Sequence, residues 1–212
     1  TNGRWNWTGN VGGADFLQYF SDNNQPGWRR QLSRVRTSYH AQGPNLTDVT
    51  YSGVSLDGAI QADVTVQMGR TDDLVRTWYH FDYTFLQDVD YTRLAFFQMA
   101  ADNYSDNGYA NAVWGNADGV IDSLVVPNHN TTGYESDQHR GIALSGQSPW
   151  VMLYDNQRMV SDLPEHYADL AYVIRDFEAN IGGTMITTPH INLHRTNNHN
   201  SQIGFERSEE HT

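Results

Sequence analysis

Between residues 60 and 85 the chain changes polarity at every second position. Ile60, Ala62, Val64, Val66 and Met68 alternate with Gln61, Asp63, Thr65 and Gln67. Successive side chains of a strand point to opposite faces, so a period of two marks a half-buried strand. Gly69-Arg70-Thr71-Asp72-Asp73 then reads as a turn. A second alternating run follows it, with Val75, Thr77, Tyr79, Phe81, Tyr83 and Phe85 on one face and Arg76, Trp78, His80, Asp82 and Thr84 on the other. The two runs predict a long antiparallel hairpin. Residues 33–40 also alternate, with Val35, Thr37 and Tyr39 opposite Arg34, Arg36, Ser38 and His40, and 93–99 is a rich apolar run. Four strands in the first hundred residues point to an all-β fold, an antiparallel β-sandwich of jelly-roll type.

Later signals are shorter. Residues 142–144 and 150–154 read as strands, and 184–195 alternates around Pro189, which implies an edge or a bulge. Residues 102–133, dense in Asn, Asp and Gly, read as a long loop. One or two short helices are expected: a turn or two at Phe16 to Phe20, and a helix near Pro164, where Asp162 and Glu165 resemble a cap. From Tyr172 onward a strand is expected. No repeat or linker interrupts the 212 residues, so a single domain is expected, read either as a mature secreted chain or as a fragment of a larger protein.

Composition removes whole chemistries. All thirteen cationic side chains are Arg, and Cys is absent. Without Lys there is no Schiff base, pyridoxal anchor or Walker phosphate loop. Without Cys there is no thiol nucleophile, disulfide or thiolate-bound metal. A formal charge of -12 repels phosphate backbones, so no nucleic-acid partner is expected. No apolar run approaches the roughly 20 residues of a membrane span, so no membrane insertion is expected either. High acidity without Lys is associated with a salty, marine setting.

The polar strand faces carry recognition chemistry in place of the usual Lys, Glu and Ser. They hold Arg34, Arg36 and His40; Gln61, Asp63 and Gln67; Arg76, Trp78, His80 and Asp82; and His190, Asn192 and His194. Arg forks bind carboxylate or sulfate in bidentate fashion, amides and carboxylates share hydrogen bonds with sugar hydroxyls, and Trp offers a flat apolar surface. Brought together, these residues would form a groove for an acidic polysaccharide, with Arg34, Arg36, His40, Gln61, Asp63, Trp78 and His190 binding substrate. The alternative is a solvated face or cross-strand pairs such as Arg76 with Asp63. β-Elimination needs a group that neutralises the uronate carboxylate, a base for the C5 proton and an acid for the leaving oxygen. His80 is the expected base, Arg76 and Arg36 the neutralisers and Asn192 a donor, with His194 completing the catalytic set. Tyr39, Tyr79 and Tyr83 fall on the apolar faces. A glycoside hydrolase would instead use two carboxyl groups, for which Asp63 and Asp82 are candidates.

Metal signals are weaker. His190, His194 and His199 form an H-x3-H-x4-H pattern that suits zinc on a helix, but on a strand His190 and His194 stand roughly 13 Å apart. Residues 116–122 resemble the interior of a calcium loop, although Trp114 and Val125 would occupy its two end ligand positions. No cofactor is required by the expected chemistry; a structural calcium in the 102–122 loop is the one addition the sequence allows.

Tyr79-His80-Phe81-Asp82-Tyr83-Thr84-Phe85-Leu86, Arg93-Leu94-Ala95-Phe96-Phe97-Gln98-Met99, Tyr172-Val173-Ile174-Arg175-Asp176-Phe177 and Pro189-His190-Ile191-Asn192-Leu193 together resemble a β-sandwich domain of large bacterial polysaccharide-degrading proteins of the polysaccharide lyase kind. The resemblance spans about half of the chain and carries over no catalytic residue. It implies a jelly-roll or super-sandwich fold, a secreted or extracellular location and an acidic glycan substrate. The sequence therefore predicts a protein that binds, and cleaves by β-elimination, a uronate-containing polysaccharide. A noncatalytic carbohydrate-binding module, or an accessory sandwich domain of a larger enzyme, is the alternative.

Overall fold

The computed structural model describes residues 15–20, 32–70, 76–89, 93–102, 111–126, 139–154, 170–197 and 200–208. Fifteen strands account for most of them: β1 (Asp15–Phe20), β2 (Leu32–Gln42), β3 (Leu46–Ser55), β4 (Ile60–Gly69), β5 (Arg76–Phe85), β6 (Arg93–Asp102), β7 (Asn111–Asn116), β8 (Gly119–Val125), β9 (His139–Ala143), β10 (Trp150–Tyr154), β11 (Leu170–Val173), β12 (Ala179–Ile181), β13 (Thr184–Ile186), β14 (His190–Asn197) and β15 (Asn200–Ser208). The all-β, antiparallel expectation holds. Neither short helix is found among the described residues. Phe16 to Phe20 lies in β1, as its aromatic content favours, and the expected helix near Pro164 falls outside the described residues.

Four sheets form, ordered β1-β6-β15-β14-β9, β11-β10-β7-β8, β12-β13 and β2-β3-β4-β5. The chain divides into two compact units, with β2 to β5 in one and β7 to β15 in the other. The first of these is a four-stranded meander whose register follows from the alternation at 60–85. Val49, Ile60, Ala62 and Val64 are buried on one face, and each Ile or Val removed from water there contributes about 1.5–3 kcal/mol. Tyr79, Phe81 and Tyr83 line the same face in a stack, with ring centroids 5.8 and 6.0 Å apart. Tyr39, also expected to be buried, is 58 % exposed, because β2 is the edge of this sheet.

A buried polar turn joins β3 to β4. The Ser55 hydroxyl donates to Asp57 and accepts from the Ala59 and Ile60 amides at 3.1 and 3.0 Å. Every polar atom of this 1 %-exposed side chain is therefore used.

Residues 111–125 correct the expectation of a long loop, since β7 and β8 form a hairpin there. Its Asn and Gly residues build the turn and do not mark irregular chain. Asn116 Oδ1 accepts the Asp118 amide at 2.8 Å, and Asn116 Nδ2 donates to the Ser145 carbonyl at 3.1 Å. Trp150 Nε1 donates to the Asn116 carbonyl at 3.1 Å. Gly115 is required here, because a Cβ would overlap the Gly119 carbonyl and the Trp150 ring. β8 ends its sheet, pairs among the described strands only with β7, and leaves Val120, Ile121 and Val125 exposed. A bulge at Ile121 shifts its register against Trp114 and Gly115.

Candidate functional site

Residues directly opposite one another in a ladder share a face. The register of β2 to β5 therefore fixes which polar side chains stand together. Arg36, Ser52, Asp63 and Asp82 form one row across all four strands. Next come Ser38, Thr50, Thr65 and His80, then Ala41, Asp48, Gln67 and Trp78, and beyond them Leu46, Gly69 and Arg76. On the other side of the Arg36 row lie Ser33, Val54, Gln61 and Thr84. Of the residues selected from sequence, Arg36, Gln61, Asp63, Arg76, Trp78 and His80 thus occupy one continuous face.

Hydrogen bonds order this face. His40 Nε2 lies 2.9 Å from Thr50 Oγ1, which lies 2.8 Å from Thr65 Oγ1, so a ladder runs from β2 across β3 to β4. Gln67 Nε2 donates to Asp48 Oδ2 at 2.8 Å, and Gln61 Nε2 donates to Asp63 Oδ2 at 3.0 Å. Those bonds hold each amide with its oxygen available as an acceptor. His40 joins the face although β2 shifts register between Tyr39 and Ala41. A second shift, between Ser33 and Arg36, contains Arg34, whose φ of 52° lies in the left-handed region.

Charge on this face is mixed, and its two arginines are far apart. Arg76 stands opposite Gly69 and Asp63 opposite Asp82, so the cross-strand pair Arg76 with Asp63 does not form. Arg36 and Arg76 sit near diagonally opposite corners of the sheet, roughly 25 Å apart from strand spacing and rise. Asp48, Asp63 and Asp82 lie between them. His80 is about 13 Å along β5 from Arg76 and about 15 Å across the sheet from Arg36. Both tyrosines of β5 that could serve as acids, Tyr79 and Tyr83, point to the apolar face, where burial raises the Tyr79 phenol above its ordinary value of 10.0.

β14, in the other unit, carries His190, Asn192 and His194. Asn192 is 2 % exposed between Ile191 and Leu193, both fully buried, so at 191–193 the strand is covered on both faces, and Asn192 does not lie on the polar face its alternation implies. His190 Nδ1 lies 3.1 Å from the Thr188 carbonyl. β14 is extended, which separates His190 from His194, and His199 lies outside the described residues. Among the described residues no cluster of three metal-ligating side chains forms. The Asn116 side chain of the candidate calcium loop is engaged by its own turn and by Ser145.

Sequence reasoning missed β3, which supplies Asp48, Thr50 and Ser52 to the centre of the polar face. Comparison with known proteins finds no matching family model, curated protein or solved structure.

Proposed function

We propose that the polar face of β2 to β5 binds an acidic polysaccharide laid across the sheet. What carries this reading is the in-register placement of hydroxyls, amides and carboxylates between two arginines whose backbone positions stand roughly 25 Å apart. That spacing suits an extended polymer with repeated anionic groups better than one sugar ring. Ser38, Ser52, Thr50, Thr65, Gln61, Gln67 and the central carboxylates offer complementary partners to sugar hydroxyls, while Arg36 and Arg76 meet carboxylate or sulfate. Cleavage by β-elimination extends the reading, with exposed His80 as the base. The distances of Arg36 and Arg76 from His80 favour binding over cleavage. As the parent architecture, a jelly-roll sandwich agrees with the edge-to-face contacts of Phe97 with Tyr172 and Phe96 with Phe177, at 5.9 Å each. An extracellular location follows from the substrate class.

A second reading draws on one specific feature. Asp63 and Asp82 stand directly opposite on neighbouring strands, with Cβ atoms about 4.5–5.5 Å apart, and a retaining glycosidase uses two carboxyl groups about 5–5.5 Å apart.

Titration calorimetry with polyuronate oligosaccharides, paired with ultraviolet detection of the unsaturated product, tests both parts. Binding should weaken about tenfold or more when Arg36 and Arg76 are both replaced by Gln. Absence of binding by the unsubstituted protein would overturn the proposal. Binding without any rise in absorbance, or a rise that survives His80→Ala, removes the assigned base. Release of reducing ends without any rise in absorbance, lost in Asp82→Asn, would favour the glycosidase.

A further inference from the structure

The Trp78 ring rests on Gly69. A Cβ at Gly69 would lie 3.4 Å from Cζ3 and 3.7 Å from Cη2 of the indole, so the ring leans diagonally from its own row onto the neighbouring one. Trp78 stands opposite Gln67, and Gly69 stands opposite Arg76. The indole therefore extends toward Arg76 and away from His80, which occupies the row on its other side. It keeps 43 % of its surface exposed, and Leu46, 45 % exposed, closes the same row as Gly69 on β3. Gln67 stands beside Trp78 in the same row, its amide nitrogen held by Asp48 on β3. Arg76 is exposed and makes no ion pair with a described residue.

We infer that Trp78, seated on Gly69, together with Arg76 and Gln67, forms a discrete subsite for one anionic pyranose unit, with the ring's apolar face on the indole and its acidic group on the guanidinium. This rests on the glycan-binding reading and narrows it. An exposed aromatic surface costs little to desolvate and offers a flat contact to C–H groups, whereas the guanidinium supplies a bidentate contact to carboxylate or sulfate. The two contacts lie on one side of His80, so Arg76 acts as a binding residue of this subsite and not as the partner of His80. Gly69 sets the height of the platform. The ring already touches the position of a Cβ, so Ala fits at ordinary contact distance, while the branched methyls of Val occupy the ring's seat.

The test uses the full chain with two probes, a polyuronate oligosaccharide and the same oligosaccharide with its carboxyl groups reduced to alcohols. Trp78→Ala and Gly69→Val should each weaken both probes about tenfold, the scale of a lost aromatic contact. Gly69→Ala should leave both unchanged. Arg76→Gln should weaken the acidic probe severalfold and leave the reduced one unchanged; equal weakening of both probes would remove Arg76 from the subsite. If Trp78→Ala binds both probes within twofold of the unsubstituted protein while the Arg36 and Arg76 pair still matters, the subsite is wrong and the broader face survives. Failure of the unsubstituted protein to bind either probe overturns the face and the subsite together. Because Trp78 is exposed, its truncation leaves the fold intact and keeps the outcome readable even if Gly69→Val does not fold.

Discussion

Tyr79 shows how one residue ties the apolar face to pH. Its phenol is half-buried and stacked on Phe81, and burial raises its pKa above 10.0 because the phenolate would lose water. With the folded value above the unfolded one, the unfolded chain releases its proton first. Stability is therefore unchanged by this group below pH 10 and falls as pH rises through the folded value. Alkaline unfolding followed by circular dichroism should show the loss, and Tyr79→Phe should flatten it; an unchanged alkaline limb in that variant would exclude Tyr79 as its source. At this scale the sequence was readable where alternation was clean, as at Val64 and Thr65. It was not readable at Asn192, a polar residue buried between Ile191 and Leu193. A period of two cannot separate a strand that faces water on one side from one covered on both.

Elements tell the same story in their composition. β4 and β5 were legible because apolar and polar residues separate cleanly onto two faces. β3 escaped because Thr47, Ser55 and Gly53 stand on its inward face, which blurs the contrast. Those residues have their own reasons. Gly53 has Ser33, Leu32 and Val35 close against it, and Ser55 anchors the following turn. β7 and β8 escaped because Asn and Gly, read as loop formers, make a two-stranded turn. The missing strand matters for the face, since Thr50 is the middle of the hydroxyl ladder. Thr65→Val removes the partner of Thr50 while keeping the β-branched shape. The variant should unfold at lower urea concentration by about 0.5–1.5 kcal/mol, the net value of one hydrogen bond. A midpoint unchanged within error would mean that water replaces the lost partner fully.

For the whole molecule, charge and architecture act together. A net charge of -12 spread over a chain without Lys holds copies apart and is screened by salt over a Debye length of about 10 Å at 0.1 M. Edge strands are commonly guarded by Lys or Pro. β8 has neither, carries Asp122 as its one charge, and exposes Val120, Ile121 and Val125 beside a single bulge. Raising the salt concentration should therefore increase light scattering at constant protein concentration, and Val125→Asp should suppress the increase. Equal scattering by both proteins would place the contact elsewhere. The acidity thus has a structural consequence: it is the long-range guard of a strand whose local sequence supplies little protection. Dilute buffer and brine become, for this fold, two different colloidal regimes.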